Sequence, residues 1–146
     1  MKILRATTTA GRAGAYYVRI QAMARKHQIS LDVEFDEHDT PDTKYIVAVD
    51  DYLPIATCRL YPEDAHNMML GRIVVLPEYR HQGIGTLVVK EAEAWAKELG
   101  FTKAIVESRD NKIPFYEQMG YVADLDKKIE GETFTCYRME KVLNDK

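Results

Sequence analysis

Polar and apolar positions alternate or cluster along this chain in a way that defines seven strand-like runs and three helical stretches. Lys2 to Arg5 reads as a short first strand. From Ala13 to His27, the residues Tyr16, Tyr17, Ile20, Met23, Ala24 and His27 recur at helical spacing. An acidic segment from Ser30 to Asp42 follows, read as a loop or short helix. Tyr45–Val49 and Pro54–Leu60 are rich in β-branched residues and flank the turn Asp50-Asp51-Tyr52, as two paired strands would. Met68 to Leu76 is a further strand, in which Gly71 marks a bend or bulge. The clearest helix runs from Gly83 to Leu99. Its expected buried stripe is Ile84, Leu87, Val88, Ala92, Trp95 and Leu99, with Glu93 and Lys97 paired on the wet side and Gly100 as the stop. Lys103–Glu107 is a strand. Asp110 or Asn111 caps a short helix with Pro114 in its first turn and Gly120 at its end. Tyr121–Leu125, a turn near Glu130-Gly131-Glu132 and Phe134–Met139 form a terminal hairpin.

The order is thus β-α-loop-β-β-β-α-β-α-β-β. Three consecutive strands before the main helix imply antiparallel pairing, and the helical crossovers imply parallel pairing later. The expected fold class is α/β, a mixed sheet of about six to seven strands flanked by helices.

Composition narrows the class. The chain has 146 residues, 46% hydrophobic and 29% charged, which suits one domain spanning residues 1–146 with a proper core. There is no apolar run long enough for a membrane helix and no apolar stretch near Met1 typical of a secretory signal, so a cytoplasmic, membrane-free protein is expected. The net charge of −3 gives no basic footprint for nucleic acid. Cys58 and Cys136 lie in strand-like segments away from ligand spacing and read as buried free thiols. His27, His38 and His66 are scattered, so no metal is expected.

The most informative chemistry sits where the strand ending at Leu76 passes through Pro77-Glu78-Tyr79 into Arg80-His81-Gln82-Gly83-Ile84-Gly85-Thr86 and the main helix. First-turn N–H groups have no partner inside a helix, the macrodipole places partial positive charge there, and glycine lets an anion approach the backbone. Arg80 adds a planar, permanently charged fork. The ligand implied is one that carries a pyrophosphate.

The run Val75-x-Pro77-x-Tyr79-Arg80-x-x-Gly83-Ile84-Gly85 resembles the acetyl-CoA signature of the GNAT superfamily of N-acetyltransferases. A second landmark, Asn111-x-x-x-Phe115-Tyr116-x-x-x-Gly120-Tyr121, begins 26 residues after Gly85 and resembles that superfamily's other hallmark. The resemblance covers nearly the whole chain. Glu34-Phe35-Asp36-Glu37-x-Asp39, with Ala56–Leu60 and Gly71–Val75, is more loosely similar to the ElaA-like branch.

This resemblance implies the acyl-CoA N-acyltransferase fold and direct transfer of acetyl from acetyl-CoA to a primary amine of a small molecule or peptide. By the same resemblance the Arg80–Thr86 backbone (Arg80, His81, Gln82, Gly83, Ile84, Gly85, Thr86) takes the pyrophosphate. Val74 and Val75 pair with the pantetheine amides, and the Val75 N–H faces the developing oxyanion. Tyr116 is the general acid for the leaving thiolate. Asn111 either meets the pantetheine arm or caps its helix, and the His81 and Gln82 side chains are solvated. The strand before the cradle holds Arg72 and no carboxylate, so a water relay or a carboxylate from the acidic segment would have to serve as general base. Glu34, Asp36, Glu37 and Asp39 either form an acidic rim for a cationic amine or pair with Arg19 or Arg59. Neither cysteine falls in a landmark, which argues against an acetyl-enzyme. Pairing of terminal strands into a homodimer is implied by resemblance alone. A CoA-binding module without catalysis, or a nucleotide binder, is the competing reading.

Overall fold

A computed structural model describes residues 1–131 and 134–144. It contains a seven-stranded sheet in the order β1-β2-β3-β4-β5-β7-β6. The elements are β1 (Lys2–Ala6), α1 (Thr9–Arg19), a π-helical turn (Ile20–Ala24), α2 (Arg25–His27), α3 (Leu31–Glu34), β2 (Lys44–Asp50), β3 (Leu53–Pro62) and β4 (Asn67–Val75). A 3₁₀ turn (Pro77–Tyr79) leads to α4 (Ile84–Glu98), and β5 (Lys103–Arg109) follows. Another 3₁₀ turn (Asp110–Lys112), α5 (Ile113–Glu117), β6 (Val122–Glu130) and β7 (Thr135–Val142) complete it. Glu132, placed in the terminal turn by the sequence, lies outside the described residues.

The first four strands form an antiparallel meander, and β5 joins β4 in parallel through the α4 crossover. This is the mixed α/β sheet expected. The terminal hairpin folds back so that β7, the last strand, inserts between β5 and β6. Helices cover both faces of the central strands. Side chains alternate with period two along β2, so Tyr45 and Val47 pack in a small cluster with Ala15 of α1. Ile46 and Ala48 point the other way, into the main cluster with Val88, Ala92 and Trp95 of α4. Strands buried on both faces read as continuous apolar runs, which is how β2 and β3 appear in the sequence.

Several local expectations are revised. The first helix starts four residues earlier than its apolar periodicity suggests, because the Thr8 hydroxyl accepts from the Gly11 N–H and caps it. It also runs through the π turn at Ile20–Ala24. On α4, Leu87 and Leu99 are exposed, and the buried row is Ile84, Val88, Val89, Ala92, Trp95 and Ala96. Glu93 is not on the wet side. It is buried, accepting from the Tyr121 hydroxyl at 2.7 Å and from Lys141 Nζ at 2.9 Å, while Lys97 Nζ reaches the Asn144 carbonyl. A helix of 3.6 residues per turn that is wedged between a sheet and a C-terminal hairpin has a wider buried arc than a one-sided stripe predicts.

Candidate active site

The cleft originates in a one-residue irregularity in β4. The pairs Arg59↔Gly71 and Thr57↔Val74 differ in register by one, so β4 carries an extra residue opposite β3. Arg72 takes the left-handed conformation there, with φ of 48°. Gly71, where the sequence marks a bulge, is thus next to the strained position rather than at it. The parallel pairing with β5 ends at Leu70↔Val106. Beyond that point β4 and β5 separate, and a cleft of about 680 Å³ opens between them.

The bend leaves backbone groups exposed that a flat sheet would pair. The Leu76 N–H donates to the Ile55 carbonyl at 2.8 Å, which makes Ile55 and Leu76 a hydrogen-bonded pair. In an antiparallel ladder the next pair, Ala56↔Val75, is then a non-bonded one, with the Val75 N–H and C=O directed away from β3 and toward the cleft. The carbonyl accepts from Arg80 Nε at 3.1 Å. By the same alternation, Val74 spends its main-chain groups on Thr57.

The turn into α4 forms the second wall. His81 and Gly83 both have positive φ, 64° and 78°, and Gly83 is the N-cap of α4. The first intrahelical bond runs from the Leu87 N–H to the Gly83 carbonyl. The N–H groups of Ile84, Gly85 and Thr86 therefore precede the helical ladder and have no acceptor within it. A Cβ on Gly83 would meet nothing within 4 Å, so the surface over it is open. On Gly85 it would stand 3.4 Å from the Phe115 ring, so this glycine also lets α4 pack against the second landmark.

Tyr116 lies across the cleft on α5. It is buried in edge-to-face contact with Phe115 and Tyr121, and it lines the cavity. Burial, reinforced by the nearby Cys58 and opposed by the Arg109 charge, pushes its phenol well above the ordinary tyrosine range, so it holds its proton at neutral pH.

Of the residues singled out in the sequence, Val74, Val75, Arg80, His81, Gly83, Ile84, Gly85, Thr86, Asn111 and Tyr116 all line this one cleft. Gln82 does not, and its side chain is exposed. Asn111 makes no side-chain cap to the helix that follows it. Cys58 is a buried free thiol as expected, whereas Cys136 is only half-buried and lines the cleft, because β7 packs beside the splayed end of β5.

The acidic segment resolves into ion pairs. Arg19, fully buried, donates to Glu34 Oε2 at 3.0 Å and to Asp39 at 2.6 and 3.0 Å. Arg59 donates to Asp36 and Asp39, and Arg72 to the Glu34 carbonyl and Asp36. Burial by itself would raise the Asp39 carboxyl. Hydrogen bonds from Arg19 and Tyr45, with the Arg19 and Arg59 charges, outweigh this and hold it far below the usual carboxylate range. Three arginines neutralise the cluster, and only Glu37 of the four carboxylates stays largely exposed.

Sequence reasoning missed five further residues that line the cleft: Met23, His27, Glu107, Arg109 and Phe134. The available signal was faint: Ile105-x-Glu107-x-Arg109 is a period-two row in which charge replaces apolar residues where β5 leaves β4.

A mixed sheet splayed between its fourth and fifth strands, with an open helix N-terminus on one wall, defines an acyl-CoA N-acyltransferase fold. Residues 14–121 match the model of the acetyltransferase (GNAT) family, and the chain belongs to that family. A Lactobacillus plantarum protein solved as a candidate N-acetyltransferase is 34% identical and superimposes with a TM-score of 0.91 over 98% of both chains. The uncharacterised N-acetyltransferase YjcF of Bacillus subtilis is 29% identical over 107 residues, 73% of this chain and 75% of YjcF. An aminoglycoside 6'-N-acetyltransferase solved with coenzyme A shares the fold, with a TM-score of 0.79 at 15% identity over 100% of this chain and 99% of that one. No helix among the described residues is long and apolar enough to cross a membrane.

Proposed function

We propose that this protein, acting as a single acetyltransferase domain, moves the acetyl group of acetyl-CoA directly to a primary amine of a small molecule or peptide. The observation that carries the reading is the continuity of donors along one cleft: the N–H groups of Ile84, Gly85 and Thr86, then the outward Val75 N–H, then the protonated Tyr116. Helix-terminal N–H groups suit a diphosphate, and an open strand edge suits an amide-bearing arm. The terminal nitrogens of Arg80 have no protein partner among the described residues and are left to meet the phosphates. A donor fixed at the Val75 edge is suited to an oxyanion forming on the thioester carbon. The leaving thiolate then takes its proton from Tyr116. Cys58 is sealed in the core with its thiol pushed up by burial, a poor nucleophile. Cys136 is also raised by burial, which favours a ternary complex over an acetyl-cysteine.

Calorimetry with acetyl-CoA, followed by thiol release in the presence of mixed amines, tests this reading. Uptake with amine-dependent release supports it. Uptake without release from any amine would leave a CoA-binding module, and no uptake would remove coenzyme A from the account.

A further inference from the structure

Glu107 and Arg109 stand two residues apart on β5, so their side chains share one face, and both line the cleft. Glu107 is exposed and has no hydrogen bond or ion pair among the described residues. That sets it apart from Glu34, Asp36 and Asp39, each of which is held by an arginine. Arg138, its cross-strand neighbour, is committed to Glu63 and Glu140. Arg109 is the complementary case. Its guanidinium lies 3.5 Å over the Phe134 ring and reaches Met23 Sδ at 3.9 Å, with no carboxylate partner among the described residues. A stacked guanidinium keeps its edge available for a planar, bidentate anion. Just past the last β4–β5 pair, a Cβ on Gly71 would meet nothing within 4 Å, so there is room for a ligand between the strands. With Arg72 committed to Glu34 and Asp36, Lys26 and Arg109 line this space against the single carboxylate of Glu107, which disfavours a polycation.

We propose that the acceptor is an amine that also carries a carboxylate, with the amine received and deprotonated by Glu107 and the carboxylate held by Arg109. The proposal rests on the acetyl-transfer reading above and names its acceptor class. The substrate ammonium gives one proton to the Glu107 carboxylate, and the freed lone pair forms the N–C bond to the thioester carbon. The C–S bond breaks with its electron pair on sulfur, which takes the Tyr116 proton. The second nitrogen proton returns through water to the tyrosinate, and Glu107 releases its proton to solvent. The products are an amide, CoA thiol and one proton.

The test compares thiol release at saturating acetyl-CoA with 6-aminohexanoate, hexylamine and spermidine. The aminocarboxylate should exceed both others in kcat/KM by roughly tenfold or more, the order expected of one charge-assisted contact. Arg109→Gln should shrink that ratio about tenfold, mainly through KM. Glu107→Gln should lower kcat about 10²-fold or more, and Glu107→Asp should restore part of it. Unchanged acetyl-CoA affinity by calorimetry shows that each variant is folded. Equal or better use of hexylamine or spermidine, or a preference that survives Arg109→Gln, overturns the proposal while leaving acetyl transfer standing. Failure to bind acetyl-CoA, or release with no amine at all, overturns acetyl transfer and the acceptor assignment together.

Discussion

In the proposed reaction Tyr116 and Gly83 carry the site at the level of single residues, and each would act through a different property. The phenol is useful because burial keeps it protonated; removing only the oxygen tests that. Tyr116→Phe should reduce kcat by about 10²–10⁴-fold with little change in acetyl-CoA affinity, as separate calorimetry and steady-state rates would reveal. Gly83 matters through its backbone. At φ of 78° a side chain is strained whatever the space around it, and about 1–2 kcal/mol is at stake for a non-glycine residue there. Gly83→Val should therefore weaken CoA binding more than it slows chemistry, since relaxing the turn re-aims the first N–H groups of α4. Titration of the variant with CoA alone is the measurement.

Among the elements, the segment between α1 and β2 is fastened to the sheet by Arg19, Arg59 and Arg72. Removing one partner from a buried ion network leaves its counterpart uncompensated, which costs about 3–5 kcal/mol. Asp39→Asn should lower the unfolding free energy by that order, read from chemical denaturation. The network also sets an acid limit. Asp39 and Asp36 both have carboxyls held below their ordinary values in the folded protein, Asp36 against its own burial by the His38 N–H and Arg59. Depressed carboxyls contribute stability that is fully present above their unfolded pKa of roughly 4 and is lost as pH falls toward their lower folded values. Thermal midpoints should thus fall steeply below about pH 4, and the Asp39→Asn protein should show a shallower decline. The strand elements were legible in the sequence because β2, β3 and β4 are apolar on both faces. The start of α1 was not, since Thr9 to Arg12 carry no apolar stripe and the helix begins there because Thr8 caps it.

For the molecule as a whole, a ligand that binds only the folded state raises apparent stability by mass action, by about 2.7 kcal/mol at a hundredfold excess over Kd. Coenzyme A should shift the thermal midpoint upward, and dephosphorylated pantetheine should do so far less, because it lacks the diphosphate proposed to meet the α4 N-terminus. A nucleotide that protected as well as coenzyme A would point to a different ligand.

Element order and the phosphate-facing turn follow from local pattern: strand, glycine-bearing turn and helix start are adjacent in the chain, so their chemistry is written contiguously. The second landmark needs only the crossover to reach the same cleft. The far wall is different in kind. Glu107, Arg109, Met23 and Phe134 come from three separated segments, and they meet only because one extra residue at Arg72 bends β4 away from β5. Pairing of Glu34, Asp36 and Asp39 with three distant arginines is likewise a consequence of how α1, β3 and β4 come together, which no local spacing encodes. Sequence by itself determined which backbone N–H groups stand open at the start of α4; the tertiary fold decided which charged side chains are left in the cleft without partners among the described residues, because charges separated along the chain acquire or lose their partners only when the sheet closes around them.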